Sequence, residues 1–170
     1  MKTKLKNKIH AVDIFCGAGG LTKGLEKSGI DVKLGIDIDK ACQYPYSENT
    51  NASFLLKSVK EVKPRDLKAA LSQEHIRLLA GCAPCQTFSS YNQKLENADS
   101  GDHRWWLLLE FSRLVKQLSP ELVTMENVPG LLDYEIFDEF VEELESNDYH
   151  VCYEVIDCLN YGIPQQRQRL

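Results

Sequence analysis

The 170-residue chain lacks any apolar run near the roughly 18 residues that a membrane-spanning helix needs. Its basic start, MKTKLKNKIH, is not followed by the apolar stretch of a secretory leader, because His10 and Asp13 interrupt what comes next. The chain is therefore expected in the cytoplasm, with no membrane partner. Internal repeats, low-complexity segments and evident linkers are also missing, and the ordinary composition excludes a disordered chain, a collagen-like chain and a bare coiled coil. There is no basic excess: 20 Lys and Arg stand against 25 Asp and Glu, a net charge of -5. That balance argues against a dedicated nucleic-acid-binding module. A second short-spaced cysteine pair is missing as well. Only Cys82 and Cys85 are close, and Cys16, Cys42, Cys152 and Cys158 stand apart, so no zinc site is expected. In a reducing compartment all six thiols should stay free.

What is present reads as one ordinary globular domain, with 43% hydrophobic and 26% charged residues. The acid is unevenly spread. Residues 133 to 148 carry eight acidic side chains and no basic one, which leaves the rest of the chain near +3 and able to form a local basic surface. Short apolar runs alternate with helical stretches. Strands are predicted over Ile9–Phe15, Val32–Ile38, Phe54–Leu56, Ile76–Ala80, Leu122–Met125 and Tyr149–Cys158. Helices are predicted after the glycines of the first strand, over Asp39–Glu48, over Trp105–Leu118 and over Tyr134–Glu145. In Trp105–Leu118 the apolar positions Trp106, Leu109, Leu114 and Leu118 are expected to face inward; in Tyr134–Glu145, Phe137, Phe140, Val141 and Leu144. Such alternation implies an α/β fold, an open and mainly parallel twisted sheet with helices on both faces.

Active sites of such sheets lie beyond the carboxyl ends of the strands. The unusual residues fall there. Asp13-Ile-Phe-Cys-Gly-Ala-Gly-Gly is a glycine-rich turn after the first strand, where backbone can approach a ligand and a helix start offers unpaired N–H groups. Asp37 follows 18 residues after Gly19, at the end of the second strand, where an acid can bind ribose hydroxyls. Taken alone, the pair indicates a nucleoside-bearing cofactor or simply a tight turn; it lacks the G-x-G-x-x-G spacing typical for NAD. The cofactor pocket is expected at the ends of strands one, two and four, where the glycine turn, Asp37 and Pro84 fall. Cys85 follows Pro84, opens the polar stretch Gln86–Asp102, and suits an accessible nucleophile, whereas Cys82 ends a strand and packs there. Glu126-Asn127-Val128 follows the fifth strand directly. Arg167 and Arg169 alternate in Gln165-Gln-Arg-Gln-Arg, so an extended backbone puts both on one face, as two guanidinium forks reaching one polar ligand require.

Together, DIFCGAGGLTKGL, GIDIDK, GCAPCQTFS, MENV and YGIPQQRQR resemble, in order and spacing, the motifs of the cytosine C5 DNA methyltransferase family. The resemblance covers nearly the whole chain. It implies the Rossmann-like fold of S-adenosylmethionine-dependent methyltransferases, with Phe15, Gly17, Gly19 and Leu21 lining the methyl donor and Asp37 on its ribose. Ile38 stands where a bulky residue packs on the adenine, and Ser58 where the family usually places an acid. Ala83 replaces the first proline of the common Pro-Pro-Cys. The implied chemistry is addition of the Cys85 thiolate to carbon 6 of a cytosine flipped out of double-stranded DNA. Glu126 would act at N3, Arg167 at O2, and Arg169 would hold Glu126 or the nucleophile loop. Gln86–Asp102 would close over the base, with Arg104 anchoring the closed state. The family's chains continue past the glutamine-arginine motif into a target-recognition domain. Residues 1–170 are therefore expected to be a truncated catalytic and cofactor-binding domain, with the sheet incomplete at its C-terminal end. The missing C-terminal part, continuous or as a second subunit, would be a partner, and the fragment alone would be inactive. A tRNA-methylating relative, a catalytically dead regulatory relative and an NAD-type or redox domain are the rival readings. The first shares the motifs, the second normally lacks Cys85 or Glu126, and the third leaves MENV and QQRQR unexplained.

Overall fold

The computed structural model describes residues 8–84 and 106–170. They form two compact units, one of residues up to Cys82 plus Arg113–Met125, the other of Ala83–Ser112 plus Glu126–Leu170.

The first unit is built on five strands: β1 (Ile9–Ile14), β2 (Asp31–Asp37), β3 (Ser53–Leu56), β4 (Ile76–Gly81) and β5 (Leu122–Met125). All neighbours pair in parallel, in the order β3-β2-β1-β4-β5. The order reverses direction between β1 and β4, and ligands of open α/β sheets bind outside the strand ends at such a switch point. As the central strand, β1 is the most enclosed; Ala11, Val12, Asp13 and Ile14 have no exposed surface. Helix α1 (Gly20–Lys27) lies over Ala11, Val32, Leu78 and Ala80 through Leu21 and Leu25, which at i and i+4 share one helical face. The helix stops where Gly29 takes a left-handed φ of 82° and its N–H reaches the Glu26 carbonyl. Far from the carboxyl ends, Arg77 braces the sheet. Its guanidinium donates to Glu121 at 2.9 Å and to the carbonyls of Leu118 and Ser119.

The helix expected over Asp39–Glu48 is broken in two. A single 3-10 turn, Lys40–Cys42, is capped by Asp39, whose carboxylate accepts the Ala41 N–H at 2.8 Å; α2 (Gln43–Asn49) follows. Pro45 accounts for the division. It has no N–H and fits only the first turn of an α-helix, so the helix begins late enough to place it there. The short α3 (Pro64–Leu67), absent from the sequence reading, likewise starts on a proline. Asp66 accepts the Lys63 N–H at 3.0 Å and pairs with Lys57 at 2.6 Å.

Of the positions expected to face inward on helix α4 (Trp106–Leu118), Leu114 is buried and Trp106 and Leu118 are half-buried, but Leu109 is not. Leu108, Phe111, Leu114 and Val115 are interior, and Leu109 is 51% exposed. With Trp-Leu-Leu-Leu at its start, the helix has several apolar stripes to offer, and packing selects the one through Phe111. In the second unit Phe111 meets Phe140 of α5 (Glu135–Ser146), with ring centroids 6.3 Å apart. Phe137, Phe140 and Leu144 of α5 are buried as expected, and its eight-acid stretch faces solvent apart from Glu143, which accepts a hydrogen bond from Ser112.

The sixth strand, expected over Tyr149–Cys158, is reduced to β6 (Ile156–Asp157), which pairs antiparallel with β7 (Gln168–Arg169) in a separate two-stranded ribbon. Alternating apolar residues make a strand only where a neighbour satisfies the backbone. Residues 151–155 have no such ladder, and Cys152, Tyr153, Glu154 and Val155 are exposed. Among the described residues, no helix is long and apolar enough to cross a membrane.

Candidate active site

Two clusters carry the residues singled out in the sequence, one in each unit. In the first unit, the chain leaves β1 through Phe15, whose φ of 63° is rare for an aromatic residue and marks backbone strain beside the glycines. The Cys16 N–H bonds the Ile36 carbonyl, tying the turn to β2. Gly17 adopts φ 51°, and a Cβ there would meet nothing within 4 Å, so the space over it is open to a ligand. Its N–H donates to Asp37 Oδ2 at 2.9 Å, and the Asp39 N–H donates to Asp37 Oδ1 at 2.9 Å. Two backbone bonds thus orient the carboxylate while leaving further lone pairs to accept hydroxyl groups. Ile38 is 72% exposed just beyond it. Ser58 is half-buried and opens a 3-10 turn two residues past β3. Leu21 packs on the sheet. An open glycine turn beside an oriented carboxylate and an exposed apolar side chain fits a nucleoside-bearing group.

Beneath this turn lies a network that the sequence reading passed over. Asp13 is fully buried; its Oδ2 accepts the Thr22 hydroxyl at 2.7 Å, and Thr22 Oγ1 lies 3.1 Å from the Tyr46 hydroxyl. Asp13 Oδ1 has no hydrogen-bond partner. Burial pushes the Asp13 carboxyl up to about 7, a rise opposed by the Thr22 hydrogen bond and reinforced by Asp37. An acid in the apolar half of a central strand, Ala11-Val-Asp-Ile, was the available signal. Burial, with the nearby Asp13 and Asp37, also drives the Cys16 thiol well above its ordinary range, so Cys16 is no nucleophile.

In the second unit, Glu126 follows β5 by one residue. Its Oε1 lies 2.7 Å from Arg169 Nε and 3.8 Å from Arg167 Nη2. The alternating arginines of the extended segment therefore converge on one carboxylate. Arg169 is the more enclosed at 18% side-chain exposure, against 44% for Arg167, whose guanidinium keeps an open side. Asn127, missed as a contributor, is buried and braces the cluster. It exchanges backbone hydrogen bonds with Leu170, both at 2.9 Å, and its side-chain amide donates to the Ala83 carbonyl at 3.2 Å. Pro84 is exposed. Cys85, the Gln86–Asp102 stretch and Arg104 lie outside the described residues. Five free cysteines and no cluster of three metal-ligating side chains occur among the described residues.

A parallel sheet of this order, with a glycine turn after its first strand and an acid after its second, defines a Rossmann-like methyltransferase fold. The chain belongs to the C-5 cytosine-specific DNA methylase family, whose model matches residues 9–170. It is 44% identical over 162 residues to the type II methylase M.HgiDII of Herpetosiphon aurantiacus, covering 94% of this chain and 45% of that protein. It is 33% identical over 169 residues to the type II methyltransferase M.DdeI of Desulfomicrobium norvegicum, covering 95% of this chain and 39% of that protein. The chain thus spans less than half the length of either relative. The solved methyltransferase EhMeth of Entamoeba histolytica superposes with a TM-score of 0.76 at 22% identity, over 96% of this chain and 52% of that one, a likeness of fold.

Proposed function

We propose that the protein transfers a methyl group from S-adenosylmethionine to carbon 5 of cytosine in double-stranded DNA, as one part of a longer enzyme or of an assembly with a second polypeptide. The observation that carries the reading is the convergence of Arg167 and Arg169 on Glu126, within a chain that belongs to this family. S-adenosylmethionine, when bound, supplies an electrophilic methyl group. Phe15, Gly17, Gly19 and Leu21 would form its cradle, with Asp37 accepting from ribose hydroxyls, Ile38 and Ser58 bordering the adenine, and Pro84 as a further residue of the pocket.

Carbon 5 of cytosine is a poor nucleophile. Attack of the Cys85 thiolate on carbon 6 converts the ring into an enamine whose carbon 5 can take the methyl group. Loss of the carbon 5 proton and departure of the thiolate then restore the aromatic ring. Glu126 donates a hydrogen bond or proton at N3, which makes carbon 6 electrophilic. Arg167, with its open side, stabilises charge gathering on O2. Arg169, held by Glu126, positions that carboxyl. A cytosine within a duplex is out of reach of these groups, so the base is flipped out before reaction.

The test is transfer of labelled methyl groups by the complete protein to DNA and, in parallel, to tRNA. Cys85→Ser abolishes transfer and Cys82→Ser retains it, because a hydroxyl at position 85 is a far weaker nucleophile at neutral pH. Equal loss from both substitutions points instead to a dithiol or metal role. Transfer to tRNA alone overturns the DNA assignment.

A further inference from the structure

The buried network beneath the glycine turn has no part in the chemistry just described. It is also an unfavourable way to fill a core. A carboxyl with an unpartnered oxygen costs free energy that an apolar side chain at the same place would avoid. The network links three elements. Asp13 is on β1, Thr22 is in the first turn of α1, and Tyr46 is on α2. The direction of its bonds follows from donor counts. Thr22 has one hydroxyl proton and spends it on Asp13, so the Tyr46 hydroxyl donates to Thr22.

Tyr46 also occupies the space that two glycines leave. A Cβ on Gly35 of β2 would stand 2.3 Å from the tip of the Tyr46 ring, and one on Gly19, the residue before α1, 3.1 Å from its edge. Gly19 in turn closes the turn, donating its N–H to the Cys16 carbonyl at 2.9 Å. The phenol therefore bears on the floor of the turn at Gly19, on its exit at Thr22 and, through Thr22, on its entry at Asp13.

We propose that Asp13, Thr22 and Tyr46 form a buried positioning network that fixes the glycine turn in its cofactor-accepting shape, with Tyr46 coupling the position of α2 to that turn. The inference rests on the cofactor reading above. All three side chains are fully buried, so they act on the cofactor through the turn, at Gly19.

The experiment uses the complete protein with Tyr46→Phe, Thr22→Val and Thr22→Ser. The first two remove a hydroxyl while keeping most of the volume, and the third keeps the hydroxyl. Dissociation constants for S-adenosylmethionine and S-adenosylhomocysteine are measured by calorimetry. Amide hydrogen exchange at Gly17, Gly19 and Leu79 is followed in the cofactor-free protein. Tyr46→Phe and Thr22→Val should weaken both ligands about tenfold, the scale of one lost buried hydrogen bond. They should also speed exchange at Gly19 without speeding it at Leu79, in the sheet. Thr22→Ser should stay within about twofold of the unmodified protein on each measure, and kcat at saturating cofactor should hold in all three. Unchanged affinity in both hydroxyl deletions overturns the proposal. So does equal acceleration at Gly19 and Leu79, the mark of a merely structural role, or a Thr22→Ser protein as weak as Thr22→Val. An unmodified protein that binds neither ligand overturns the cofactor reading instead. The exchange pattern alone then decides the network: selective acceleration at Gly19 upholds it and none sinks it.

Discussion

Asp13 makes the stability of the first unit depend on pH in a way that one substitution isolates. Its carboxyl is pushed up to about 7 in the folded protein from an ordinary value of 3.8. The folded state therefore holds a proton that the unfolded chain has already released. Its contribution to stability is complete below about pH 4 and is lost as pH rises through about 7. Each pKa unit corresponds to about 1.4 kcal/mol, so the whole effect is on the order of 4 kcal/mol, with about 2 to 3 kcal/mol of it lost between roughly pH 5 and pH 8. Asp13→Asn has no proton to exchange at this site and preserves the acceptor for Thr22. It places an NH2 group where Oδ1 lacks a partner, a cost on the order of 1–3 kcal/mol that does not vary with pH. The substituted protein should thus be the less stable at about pH 5, and the gap should close or reverse near pH 8. Groups remote from Asp13 affect both proteins alike and largely cancel in the difference. Urea unfolding at both pH values, read by circular dichroism, measures it. A stability difference that stays constant across this range would refute the idea that Asp13 is buried with a raised pKa.

Gly35→Ala should destabilise the first unit by about 1–3 kcal/mol, because the added methyl group collides with the Tyr46 ring; a thermal melt checks this, and added Tyr46→Leu should recover part of the loss. Gly17→Ala meets no neighbour but must adopt a positive φ, so it should cost only about 1 kcal/mol in the melt while weakening S-adenosylmethionine in calorimetry by far more than that strain accounts for. Arg169→Ala removes a partly exposed ion pair and should change stability by less than about 1 kcal/mol, yet reduce methyl transfer about a hundredfold by freeing Glu126; an activity assay beside a melt separates the two effects. Phe140→Ala should cost about 3–5 kcal/mol and unfold the second unit first, visible as rapid hydrogen exchange along α5.

The course of the sheet was legible because local chemistry and global packing agree there. Apolar runs of strand length end at Gly17, Asp37 and Glu126, and a parallel sheet gathers strand ends on one edge whatever its details. Five strands formed within a residue or so of expectation because aliphatic runs of strand length, enclosed in the centre of the sheet at β1 and β4, have few other options. The convergence of Arg167 and Arg169 on Glu126 was also foreshadowed, since alternation on extended backbone places both on one side. Other features depended on contacts remote in sequence. The stretch Tyr149–Cys158 has the composition of a strand, but a ladder needs a neighbour, and only Ile156–Asp157 finds one in Gln168–Arg169. Helix α4 carries apolar residues on several faces, so only packing against partners such as Phe140 could select Phe111 over Leu109. The Asp13–Thr22–Tyr46 network joins residues up to 33 positions apart, and its significance comes from burial, which no short window reveals. Residue types and their order thus determined the course of the sheet and the strand ends where Gly17, Asp37 and Glu126 stand. Which side chains are enclosed, and so which carboxyl holds its proton and which tyrosine supports the glycine turn, was decided by tertiary packing, because desolvation depends on everything that surrounds a group.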